Sequence, residues 1–184
     1  RILRILPLAL LGLVACQGEK ESTVIESKIS PIDVFTVSEP HESPVQISTL
    51  FAEPTPGREV VLSGEIMGRM DPFIDGRAMV MLGDPTMITP CNRKVGDDCE
   101  TPWDVCCDLP DVVKKSVATI QLVDSDGGVI KSSLRDYQGM KELDYLTVKG
   151  TIAEGSNSEN LLINAESFHK AEVSPYVNAK PVGE

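Results

Sequence analysis

"EVVLSGEIM", residues 59–67, decides the fold. Val60, Leu62, Gly64 and Ile66 share one face of an extended chain, and Val61, Ser63, Glu65 and Met67 share the other. A period of two marks a strand. Reading on, "RMDPFIDG" supplies turn chemistry through Pro72 and Gly76, and "RAMVML" is a second strand ending at Gly83. "SVATIQLVD" is a third, with Ala118, Ile120 and Leu122 on one face. "DSDGG" is a tight turn, after which "VIKS" continues the ribbon. Leu134, Tyr137 and Met140 recur every three residues and predict a short helix over 133–143, although Gly139 weakens it by roughly 1 kcal/mol. "YLTVKGTI" and "LLINAESF" alternate again on either side of the polar loop "EGSNSEN".

The order is three strands, a short helix and two strands. It predicts an all-β, OB-fold-like five-stranded Greek-key barrel over residues 58–170, with a β-sandwich as the alternative. Gly64 falls where the first strand of such a barrel bends to serve both sides. The second and third strands are separated by residues 84–116, too long a stretch to be left without organisation.

Residues 17–56 are rich in Ser, Glu, Pro and Thr, with prolines at 31, 40, 44, 54 and 56. They read as a flexible tether over 16–57, with "PIDVFTV" a candidate edge strand. Residues 171–184 read as a mobile tail. The 184 residues carry a net charge of −11 and only 4% aromatics, with no visible basic stripe, which argues against a nucleic-acid partner.

Arg1 and Arg4 precede an apolar run over residues 5–14. That run is shorter than the roughly 20 residues a membrane span needs, and it has the length of a secretory signal core. It ends in Leu13-Val14-Ala15-Cys16, which resembles the lipobox of bacterial lipoproteins. The resemblance implies that residues 1–15 are a signal peptide and that Cys16 becomes a lipidated (palmitate-class) N-terminus. It further implies a membrane anchor in the bacterial cell envelope. Gln17, in place of an Asp, favours the outer membrane over the inner.

Without Cys16, four cysteines are left: Cys91, Cys99, Cys106 and Cys107. An even number in an oxidising compartment predicts disulfides. Pairing the adjacent Cys106 and Cys107 would strain the ring, so Cys91 pairs with one of them and Cys99 with the other. Each bridge would contribute about 3 kcal/mol at most. A Cys₄ zinc site is the rival, with gaps unlike the usual paired knuckles. A redox role lacks a C-x-x-C and is surrounded by acids that raise thiol pKa values.

The segment "CNRKVGDDCETPWDVCC" is similar to one in small bacterial lipoproteins with a C…D-x-C-x-TPWD-x-CC pattern in an OB-fold-like domain, sometimes described as nucleic-acid-binding in type. That resemblance implies a group and a location, and no activity.

No catalytic constellation joins His41 or His169, which read as solvated surface residues, and the paired acids Asp124 and Asp126 lack the rest of a calcium loop. The expectation is therefore no enzyme, no cofactor and no resident metal. An OB-type barrel binds across its second and third strands and adjoining loops. That nominates Arg69, Phe73, Arg77, Arg93, Lys94 and Trp103 as ligand-binding candidates. The expected function is a membrane-anchored, non-catalytic binding or assembly module contacting an envelope protein or glycan. Alternatives are a metal or redox protein using residues 91–107, and single-stranded nucleic-acid binding.

Overall fold

The computed structural model describes residues 29–182. Cys16, the signal segment and the start of the tether lie outside the described residues. Among the described residues, no helix is long and apolar enough to cross a membrane.

The chain is β-rich, with one six-stranded mixed sheet. Its strands are β1 (Val45–Gln46), β2 (Glu59–Ile66), β3 (Met79–Gly83), β4 (Val117–Leu122), β5 (Tyr145–Ile152) and β6 (Leu161–Lys170). The order is β1-β2-β3-β4-β6-β5, with a further pairing between β2 and β5. β2 lies antiparallel to β5 from Glu59↔Thr151 to Glu65↔Tyr145. It pairs with β3 only at Glu65↔Gly83 and Ile66↔Leu82. β1 runs parallel to β2 at Val45↔Leu62 and Gln46↔Ser63, covering the stretch of edge that β3 does not reach. β3 and β4 are antiparallel, β4 and β6 parallel, β5 and β6 antiparallel.

Alternation drives this arrangement. β4 alternates half-buried and buried residues along its whole length. Leu62, Leu82, Ala118, Leu122, Val148 and Ile163 have no exposed surface in the shared core. Burying one such aliphatic side chain stabilises the fold by about 1.5–3 kcal/mol. Gly64 lies where β2 passes from β1 to β3. A Cβ there would stand 2.7 Å from the Gly83 carbonyl oxygen and 2.7 Å from Ile47 Cδ1. Only glycine admits that approach.

Several expectations need correction. The helix over 133–143 is absent; a single 3₁₀ turn, Tyr137–Gly139, takes its place. Asp136, Gln138 and Leu143 have positive φ, which an α-helix excludes. Leu134 and Met140 flank this turn and are buried in the main core.

The supposed tether enters the core at Ile32 and again around Ile47–Phe51. Ile32, Ile47, Leu50 and Phe51 belong to the main core, the last three on or beside the short helix α1 (Ile47–Leu50). "PIDVFTV" forms a 3₁₀ turn at Asp33–Phe35 and one isolated bridge, Thr36↔Phe168, rather than a strand. Its polar composition masked a few apolar residues at the right spacing.

The histidines are held by the fold. His41 Nε2 lies 3.1 Å from Ser167 Oγ, and His169 Nδ1 lies 3.2 Å from the Val37 carbonyl oxygen. The C-terminal residues 171–182 also make fixed contacts. The Tyr176 ring sits 5.9 Å from that of Tyr145, and the Val182 amide donates to Thr89 Oγ1 at 2.8 Å.

Candidate functional sites: a cysteine cluster and a cleft on the sheet

The connection between β3 and β4 is organised by its own polar side chains. Asp84, buried at its start, accepts from the Thr86 amide and hydroxyl through Oδ1 and from the Ser48 amide through Oδ2. A 3₁₀ turn follows at Cys91–Arg93. The Cys91 and Asn92 amides donate to the carbonyls of Asp104 and Pro102, at 2.8 and 3.0 Å. Those two bonds lay the first cysteine beside the "TPWD" stretch. Asp108 then accepts from the Thr89 amide and the Lys94 ammonium, both at 2.7 Å. The helix α2 (Pro110–Lys114) closes the segment, with proline at its start. Beneath it lies a second, smaller core of Met67, Ile88, Val105 and Val113, against which Trp103 and Leu143 pack.

All four cysteines gather in this segment, as free thiols. Cys91 is buried. Its sulfur lies 3.6 Å from that of Cys106, against about 2.05 Å for a disulfide bond. Cys91, Cys106 and Cys107 place their sulfurs within 4.8 Å of one another. Cys91, Cys99 and an Asp97 carboxylate oxygen form a second such group. Asp97 accepts from the Cys99 amide at 2.9 Å and from the Cys107 thiol at 3.3 Å. The Cys99 amide, followed by the Cys107 and Cys91 thiols, holds the Asp97 carboxyl below its ordinary range. Burial, followed by hydrogen bonds with Cys106, Asp97 and Cys99, pushes the Cys91 thiol up. The Thr101 hydroxyl, 3.3 Å from its sulfur, leads the contacts that bring the Cys99 thiol down.

The six nominated binding residues scatter. Phe73 is buried in the main core, and the Arg135 guanidinium covers its ring at 4.6 Å from the centroid. Arg93 is buried against Glu65, and Lys94 is committed to Asp108. Trp103 donates its indole N–H to the Met70 carbonyl at 2.7 Å. Arg77 is exposed and stands apart from the cleft described next.

Arg69 is different. It lines a cleft of about 340 Å³ with Met81 of β3, Val117 and Thr119 of β4, Pro110, Val113 and Lys114 of α2, and Glu159 and Asn160 of the β5–β6 loop. Met81, Val117 and Thr119 are the half-buried, outward residues of their strands. Sequence reasoning missed Lys114, Glu159 and Asn160. Two distant segments, α2 and the β5–β6 loop, supply these side chains, and no local pattern joins them. A larger groove, about 560 Å³, lies beside α1 and α2 and carries Asp111 and Lys115.

The "DSDGG" stretch is a turn. The Asp124 carboxylate accepts from the Asp126 and Gly128 amides. Its Oδ1 is thus spent on backbone, as in a tight turn.

Set against known proteins, the chain matches no protein-family model, no curated protein and no solved structure.

Proposed function

We propose that the chain is a lipid-anchored protein of the bacterial envelope, held by Cys16, whose OB-type barrel is a non-catalytic binding module for an envelope glycan or protein. The cleft over β3 and β4 carries this reading. Going round by pairing, β2, β3, β4, β6 and β5 lead back to β2. That ring supports an OB-type barrel over an open sandwich. In such a barrel β3 and β4 are the second and third strands, and the cleft falls where OB-folds take oligosaccharides and oligonucleotides.

Its chemistry favours a polar, uncharged or weakly charged ligand. Arg69 and Lys114 offer donors, Glu159 accepts, Asn160 does both, and Met81, Val113 and Val117 give an apolar floor. Among the described residues no aromatic side chain lines it, so single-stranded nucleic acid would lose the stacking of roughly 1–3 kcal/mol per base. The net charge of −11 opposes such a ligand too.

The test has two arms. A photo-crosslinking amino acid at Thr119, in cells, should capture cell-wall glycan or one defined envelope protein. The capture should fall when Arg69 and Lys114 are both replaced by Glu. Equal capture from an outward position on β5, such as Lys149, would sink the cleft as the site. Separately, a fatty-acid label should enter the wild-type chain and not Cys16→Ser; equal labelling of both would remove the anchor.

A further inference from the structure

We infer that Cys91, Cys99, Cys106 and Cys107 form a tetrahedral thiolate site for zinc, centred on the buried Cys91. A disulfide uses sulfurs in pairs, yet Cys91 belongs to two groups at once: it lies within 4.8 Å of the Cys106 and Cys107 sulfurs, and within 4.8 Å of the Cys99 sulfur and an Asp97 oxygen. A cation bound beside Cys91 would draw the two groups into one four-sulfur set. Zinc–sulfur bonds of about 2.3 Å in a tetrahedron set sulfurs roughly 3.8 Å apart. The Cys91–Cys106 separation is 3.6 Å. Adjacent residues in an extended chain point to opposite sides, but Cys106 and Cys107 sit in a turn that brings both sulfurs to Cys91. Soft thiolate sets select zinc over magnesium or calcium.

A centre of four thiolates and one divalent cation is doubly negative; Lys94, paired with Asp108, brings one positive charge to the segment, and the Asp97 carboxylate, 3.3 Å from the Cys107 sulfur, turns away from it once that thiol has lost its proton. Asp97 fixes the loop through the Cys99 amide. Each ligand thiol gives up its proton to solvent on binding, so uptake releases acid. The role is structural. The site ties the 3₁₀ turn that carries Arg93 to the turn that leads into α2, and α2 forms one wall of the cleft.

The experiment uses the full chain with Cys16→Ser, so that only the four insert thiols are counted. The protein is reduced, freed of metal by a chelator and titrated with zinc under anaerobic conditions. A chromophoric competitor and native mass spectrometry read the binding. One zinc per chain is expected, with a strong tetrahedral thiolate spectrum when cobalt replaces it. Cys106→Ser and Cys107→Ser, both at exposed positions, should each weaken zinc binding by at least about tenfold. Circular dichroism of each variant checks that the sheet is retained. The inference is overturned if the reduced chain takes up no stoichiometric zinc, as expected if the four cysteines serve only as disulfide partners. Uptake that neither Cys→Ser change weakens would overturn it as well. Neither result bears on the crosslinking at Thr119, so the two readings fail separately.

Discussion

Arg93 donates two parallel hydrogen bonds to Glu65, from NH1 to Oε2 and NH2 to Oε1, each 2.7 Å long. Glu65 is fully buried on β2, and the Arg93 side chain is 6% exposed. The Ser174 hydroxyl adds a third bond to the same carboxylate. This pair joins the cysteine insert, the first long strand and the C-terminal segment. It also explains an irregularity: the outward face of β2 runs from exposed Glu59 through half-buried Val61 and Ser63 and ends in a buried acid.

Breaking the pair from one side should be severe. Arg93→Ala leaves an uncompensated carboxylate in the interior, and a loss of about 3–5 kcal/mol is expected. Replacing both partners, Arg93→Met with Glu65→Leu, should restore most of that loss, because neither buried charge is left behind. Urea unfolding of the three variants measures it. A single-variant loss below about 1 kcal/mol would put this bridge among solvent-screened surface pairs.

Asp97 gives the cysteine loop a dependence on acid. Its carboxyl is held below its ordinary range in the folded state, chiefly by the Cys99 amide. A depressed folded pKa means a contribution fully present above the unfolded value, about 3.9, and lost as pH falls through the lower folded one. Asp97→Asn lacks that titration. The wild type should therefore exceed the variant in stability at neutral pH, and the gap should close as pH falls through the lowered folded value. Parallel stability–pH curves for the two proteins would contradict this.

Gly150 lies at the irregularity where β5 and β6 change register, between Lys149 and Gly150. A Cβ there would stand 2.3 Å from the Asn164 carbonyl oxygen and 2.9 Å from Ala165 Cα. Backbone cannot move aside as a side chain can. Gly150→Ala should cost about 1–3 kcal/mol by overpacking, despite better intrinsic propensity. A stability equal to the wild type would mean the two strands separate there with ease.

The five long strands were legible because each alternates over at least four residues and stops at turn chemistry. β1 was not, since two residues carry no period. The helix over 133–143 is not formed because an apolar repeat of three does not fix the backbone: positive φ at Asp136, Gln138 and Gly139 breaks the stretch into one short kinked turn, with Leu134 and Met140 buried on either side of it. Ile32, Ile47 and Phe51 were hidden in a polar stretch whose prolines suggested a tether. The cysteines announced a site, but spacing alone did not show that all the partners face Cys91. Arg93, a ligand-binding candidate by sequence, is instead spent on Glu65, which lies 28 positions away on a strand whose pattern gives no hint of a buried acid.

Trp103 is the only tryptophan, and it packs on the insert's own core of Met67, Ile88, Val105 and Val113. Its fluorescence therefore reports the insert, while far-ultraviolet circular dichroism reports the sheet. In the wild type the two unfolding transitions should coincide, because Arg93 and Glu65 lock insert to strand. Arg93→Ala removes the lock, and the fluorescence transition should then come at lower urea than the dichroism transition. Trp103→Ala should itself cost about 2–3 kcal/mol, below the range for a fully buried ring because this one is half-buried. Two transitions that still coincide in Arg93→Ala would mean that the insert and the sheet share enough apolar contact to unfold as one unit. The ion pair would then serve geometry rather than cooperativity.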